Sequence, residues 1–183
     1  MANRGPLKRR DERFHVNNFV EWLNLTYGSL YKVIAEPDPP EAIIESKYTT
    51  SWIEISTAFI SPSYARDLMS YATPNEEHKS ISDEIFVEPD RMAAENFVAV
   101  VKKKLEKKSY LPIAKKYGPG YLVIPIRNPF FDKSTITLMK EEWNKTEVND
   151  LDCFKSVRIS YQPKIGITMQ SYWDFYLWPK KIP

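Results

Sequence analysis

Two glutamates in neighbouring strand-like runs are the residues best able to do chemistry in this chain. Pro40-Glu41-Ala42-Ile43-Ile44 places a carboxylate at a strand entrance, and Trp52-Ile53-Glu54-Ile55-Ser56 places a second one within a strand. Strand alternation puts Trp52, Glu54 and Ser56 on one face and Ile53 and Ile55 on the other. If the two strands form a hairpin, Glu41, or Asp38 just before it, approaches Glu54 near the sheet end. Carboxylates about 4 Å apart repel by ~1 kcal/mol in water and ~4 kcal/mol at an effective dielectric of 20. A divalent cation removes that conflict. Hard oxygen ligands suit Mg²⁺ or Mn²⁺, which can position a phosphate, activate water and stabilise developing charge. The plainer alternatives are an exposed edge-strand position for Glu54 and ordinary turn chemistry for the two acids beside prolines.

The elements that must carry these residues are readable in order. Residues 1–11 are polar and basic and read as a mobile tail. Phe19, Val20, Leu23 and Tyr27 recur at helical spacing, which predicts a helix from about Glu12 to Gly28. Short strands are predicted at Tyr31 to Ala35, Ala42 to Glu45 and Ser51 to Ser56, with the proline run 37–40 holding the chain extended between the first two. Ser61 to Ala72 can form a helix, and Thr73 to Pro89 reads as a surface loop. Asp90 is a plausible N-cap for a helix to about Lys108, with Met92, Phe97, Val100, Val101 and Leu105 on its buried side. A short helix around Ile113 to Tyr117 stops at Gly118-Pro119-Gly120, and Tyr121 to Ile126 is a buried strand. Asp132 is a second candidate cap, for a helix over Ser134 to Asn144. Beyond it, Ser156 to Tyr161, Ile165 to Met169 and Tyr172 to Trp178 predict a terminal meander. A helix between the third and fourth strands permits a parallel or mixed sheet, so the expectation is one α/β domain with helices on both faces.

Composition sets the class. The 183 residues suffice for one core, and 43% hydrophobic with 27% charged residues is ordinary for a globular chain. No apolar run approaches the ~18 residues that cross a bilayer, and the polar start has no apolar core of a secretory signal. The single cysteine, Cys153, excludes an internal disulfide and a cysteine zinc cluster. These features predict a cytoplasmic protein with no membrane contact. The net charge of +2 says little, but Lys8 to Arg10 and Lys102 to Lys104 with Lys107 and Lys108 are clustered. Such a run is either a solvated helix face or a phosphate-binding one.

The acidic pair resembles the signature of the PD-(D/E)xK superfamily, the fold of restriction endonucleases and many repair nucleases. Pro40-Glu41 looks like the PD element with glutamate for aspartate, and Pro37-Asp38 is the literal dipeptide. Glu54-Ile55-Ser56 looks like (D/E)xK with serine for lysine. Helix, three strands, helix, strand is also the superfamily's core order. It spans roughly residues 12–126, with 127–183 as a β-rich extension. The resemblance implies a Mg²⁺- or Mn²⁺-dependent nuclease acting on DNA, or on RNA. Asp38, Glu41 and Glu54 would be metal ligands, with Glu21 as the acid of the first helix. It also implies that a lysine of the 102–108 helix replaces the one missing at Ser56. Lys104 is preferred, leaving Lys103, Lys107 and Lys108 for nucleic-acid contact. The loss of the motif lysine equally fits a nuclease fold kept as a non-catalytic nucleic-acid or protein-binding module. A homodimer is compatible with either reading.

Other residues carry less. His15 and His78 make no zinc signature, Ser51 and Ser56 have no neighbouring histidine to activate them, and Gly118-Pro119-Gly120 lacks the lysine of a phosphate loop. The aromatic stretch Tyr172 to Trp178 reads as a packed strand, with a partner or dimer surface as the sharper alternative.

Overall fold

A computed structural model describes residues 5–72, 77–81, 86–127, 131–161 and 171–174. The first helix, α1 (Pro6–Tyr27), starts at Pro6 rather than at Glu12. Proline at the first helical position costs nothing, because its missing N–H would have no helical partner there. Much of the expected tail is therefore helix. His15, Val16, Phe19, Val20 and Leu23 form its buried stripe, whereas Tyr27 is exposed at the helix end. Gly28, in the left-handed region at φ 63°, closes the helix by donating to Asn24 O at 2.9 Å.

The antiparallel strands β1 (Lys32–Ala35), β2 (Ala42–Glu45) and β3 (Thr50–Ile55) follow as a meander. Ala42 pairs with Ile53 and Glu45 with Thr50 across the hairpin. The chain then breaks at Ser56-Thr57 and resumes as the two-residue strand β4 (Ala58–Phe59). Next come α2 (Pro62–Ala72) and α3 (Pro89–Leu105), a 3₁₀ turn at Lys108–Tyr110, and α4 (Leu111–Tyr117). The long helix thus ends at Leu105, short of Lys108. Asp90 lies inside its first turn rather than at the cap, and its carboxylate accepts from Thr135 Oγ1 at 2.7 Å.

These crossover helices return the chain so that β5 (Gly120–Arg127) runs parallel to β3. After α5 (Lys133–Lys145), β6 (Phe154–Tyr161) lies parallel to β5, and β7 (Ser171–Asp174) pairs antiparallel with β6. Asp132 caps α5 as expected, accepting from the amides of Ser134 and Thr135. The sheet order is β1-β2-β3-β5-β6-β7, mixed and open, with β4 adding to β5 beyond the end of β3. The expected C-terminal extension is therefore part of the central sheet, because α5 is a crossover. The predicted strand at Ile165 to Met169 and the residues after Asp174 lie outside the described residues.

Each face of the sheet has its own core. On one side α1 covers Ala42, Ile44, Ile53, Ile55 and Val123. On the other, Phe97, Val101 and Leu105 of α3 and Trp143 of α5 pack against Trp52, Leu122 and Ile124. The alternation expected for β3 holds: Trp52 faces α3, while Ile53 and Ile55 face α1. Cys153 is buried and free, and among the described residues no helix is long and apolar enough to cross a membrane.

Candidate functional site

Glu54 sits on β3 with both neighbouring strands paired, so it is not an edge residue, and its exposure is 1%. A buried carboxylate needs compensation, and two side chains provide it. Lys104 Nζ and the Tyr110 hydroxyl both donate to Glu54 Oε1 at 2.6 Å, and Lys104 also donates to the Tyr110 oxygen at 3.1 Å. Lys104 reaches the sheet because it falls on the buried stripe of α3, one turn beyond Val101 and two beyond Phe97. Tyr110 comes from the 3₁₀ turn that follows and is fully buried against Trp52 and Phe154. The other oxygen, Glu54 Oε2, is buried with no hydrogen-bond partner.

Glu41 precedes β2, and continuing the hairpin register by one pair sets it opposite Glu54. It is 8% exposed, and its Oε2 accepts from the amide of Ile55 at 3.1 Å, holding it at the end of β3. Two cavities flank this strand end. One, of about 670 Å³, is lined by Asp38, Glu41, Glu36, Glu12 and the arginines Arg9, Arg10 and Arg13 of α1. The other, of about 470 Å³, is lined by Ser56, Thr57, Lys104, Arg127, Lys8, Asp11 and Glu12, with Phe59, Leu68 and Met69 as apolar wall. Ser56 reaches it because the chain breaks between β3 and β4, while its amide still bonds Val123 O at 3.0 Å.

The structure thus brings Glu41, Glu54, Ser56 and Lys104 to one end of β3, with Asp38 at the rim of the larger cavity. Glu21 is not with them: it is exposed and lines neither cavity. The acid of α1 that lines both is Glu12. Helical spacing carries the signal, since Glu12, His15, Val16 and Phe19 share one stripe once the helix is extended to Pro6, whereas Glu21 falls off it. Lys103, Lys107 and Lys108 are exposed and line neither cavity; Lys107 Nζ lies 5.0 Å from the centre of the Tyr110 ring. No spacing in the sequence points to Tyr110.

His15 is buried beside the smaller cavity, its Nε2 3.3 Å from the Arg127 guanidinium, which also binds Asp11 at 2.5 Å. Burial drives its pKa down to about 4; Asp11 opposes the shift and Arg127 adds to it. His78, which follows α2 in the chain, bonds Asp67 of that helix instead.

For a divalent cation the donors are right in kind. Glu54 Oε2 is a buried oxygen in want of a partner, and Glu41 shares the same strand end. Mg²⁺ commonly uses one or two carboxylates, with waters and substrate phosphate completing its shell. Among the described residues no group of three histidine, cysteine, aspartate or glutamate side chains is arranged to hold a metal ion. The oxygen donors near this strand end are thus two carboxylates, Glu41 and Glu54, and Glu54 itself lines neither cavity.

No family model matches this chain, and no curated protein or solved structure is significantly similar to it.

Proposed function

We propose that the chain is a divergent nuclease of the PD-(D/E)xK type that hydrolyses phosphodiester bonds in DNA with Mg²⁺ or Mn²⁺. The observation that carries this reading is the contact of Lys104 with Glu54. An ammonium group from α3 stands beside the strand position where the motif lysine is replaced by Ser56. The chain order of α1, the β1-β2-β3 meander, a helical crossover and a β5 parallel to β3 supports it, because that is the order of the restriction-endonuclease-like core.

In this reading Glu41 and Glu54, the latter through Oε2, hold the cation, with Asp38 at the rim. The bound cation supplies an activated water and charge stabilisation at the phosphate. Lys104 and Tyr110 keep Glu54 Oε1 occupied and leave Oε2 as the oxygen open to a cation. Lys104 adds positive charge to the cavity wall, and the Ser56 hydroxyl there can donate a hydrogen bond but supplies no charge.

A second reading has its own support. Glu54 Oε1 is satisfied by two protein donors, and among the described residues no three-acid set is assembled, as expected of a nuclease fold retained as a binding module. Cleavage of supercoiled plasmid and single-stranded DNA in Mg²⁺ and Mn²⁺, with Glu54→Gln in parallel, separates the two. The nuclease reading expects cleavage by the parent, a loss of roughly 10²-fold or more in the variant, and a Mn²⁺-dependent rise in the parent's Tm that the variant lacks. No cleavage and no Tm shift would sink it in favour of the binding module.

A further inference from the structure

Of the α3 lysine run only Lys104 lines a candidate cavity, where it is committed to Glu54, and Arg127 of β5 beside it binds Asp11. The other basic residues on the cavities belong to the first two turns of α1, where Lys8 lines the smaller cavity and Arg9, Arg10 and Arg13 line the larger. Glu12 lines both, so this stretch of helix stands where the two cavities meet. Its cations are not equally occupied. Arg13 pairs with Glu36 at 3.0 Å and Lys8 with Glu12 at 3.7 Å. Arg9 and Arg10 are exposed and make no ion pair among the described residues.

Fold stability does not account for them. Cations at a helix N-terminus oppose the helix dipole, and the first turn of α1 contains no acid to offset them. They lie outside the buried stripe from His15 to Leu23 that packs α1 onto the sheet. What they do share is a cavity wall with Asp38 and Glu41.

We propose that Arg9 and Arg10 bind the phosphodiester backbone of a nucleic-acid strand that crosses the end of β3. This rests on the nuclease-type reading and names its substrate contact. The guanidinium fork matches phosphate oxygens in pairs, as a lysine does not. Two phosphates neutralised in this way release counterions, so the contact is visible in the salt dependence of binding.

The test is fluorescence anisotropy with labelled single-stranded DNA, duplex DNA and single-stranded RNA, in EDTA so that nothing is cleaved, over a range of salt. The variants are Arg9→Gln/Arg10→Gln, its control Arg9→Lys/Arg10→Lys, and Lys103→Gln/Lys107→Gln/Lys108→Gln. The α1 glutamine variant should lower the slope of log K against log salt by roughly 1.4 on single strands or 1.8 on duplex. The lysine control should keep the parent slope, which sets the effect apart from any loss of helix structure, and the α3 variant should change it little. An unchanged slope in the α1 glutamine variant, or a loss confined to the α3 variant, overturns the proposal. The nuclease reading is then judged separately by the Glu54→Gln cleavage comparison. A parent that binds none of the three at low salt overturns both. Binding to RNA alone keeps the arginine contact and moves the substrate from DNA to RNA.

Discussion

Glu54 is a carboxylate in the middle of a sheet whose every other β3 neighbour is apolar or neutral, and its stability depends on two donors. Removing one partner of a buried ion pair leaves the other charge uncompensated. Lys104→Met should therefore destabilise the protein by about 3–5 kcal/mol in urea unfolding. Adding Glu54→Gln to that variant should restore much of the loss, and a double variant no more stable than the single would contradict the pairing. Tyr110→Phe removes one hydrogen bond to the carboxylate while leaving the ring packing on Trp52 and Phe154 intact. It should cost about 1.5–3 kcal/mol, the range for a bond to a charged group, in the same unfolding measurement.

The elements that set Glu54 in place are held by two specific joints. At the first, Gly120 opens β5 directly against the Trp52 indole, and a methyl group at that position would overlap the ring. The indole cannot move away freely, because its Nε1 donates to Gly118 O at 2.8 Å and it stacks on Tyr110. Gly120→Ala should therefore lower stability by roughly 1–3 kcal/mol, the cost of overpacking a filled core. Thermal unfolding measures this, and an unchanged Tm would show that the β3–β5 junction has slack. At the second joint, Asn24 binds both the amide and the carbonyl of Tyr31, at 2.6 and 2.9 Å, tying the end of α1 to the entrance of β1. Asn24→Ala loses both bonds and should cost about 1–2 kcal/mol, read as a shift in urea midpoint at unchanged slope.

At the scale of the whole molecule, one buried and one partly buried group pull the pH dependence of stability in opposite directions. Burial, reinforced by Arg127 and resisted by Asp11, lowers the pKa of His15 to about 4 from 6.5. The unfolded chain therefore binds the extra proton between those values. This contribution is complete above about pH 6.5 and is lost as pH falls toward 4, at most about 3 kcal/mol. Asp150, partly buried in the loop before Cys153, is raised to about 6 by burial, with the Asp152 charge adding and the Asp152 amide opposing. Here the folded state holds the proton longer, so stability falls as pH rises from about 4 to 6. The two contributions offset each other in the parent. Asp150→Asn should uncover the His15 term, making stability rise more steeply from pH 4 to 6.5 in a Tm-against-pH series. A flatter profile in the variant would refute the assignment.

The elements on β3 and α5 were legible because they depend on local pattern. Alternation about Glu54, the hairpin that brings Glu41 to it, and the Asp132 cap all follow from periodicity and from side chains that bond amides two or three residues away. The sequence by itself also determined that both faces of a mixed sheet would be covered, since a helix separates the third strand from the next. What it could not determine are contacts set by rotation and distance. That Lys104 rather than Lys103 meets Glu54 depends on how α3 is turned about its axis, and that Glu12 rather than Glu21 lines the cavities depends on where α1 begins. The Tyr110 contact spans 56 positions of chain and arises only when a 3₁₀ turn carries that ring beneath β3. Local pattern reports which face of an element is apolar. Which residue of that face meets a given partner is decided only when the faces close on each other, because close packing admits few relative placements of two helices and a sheet.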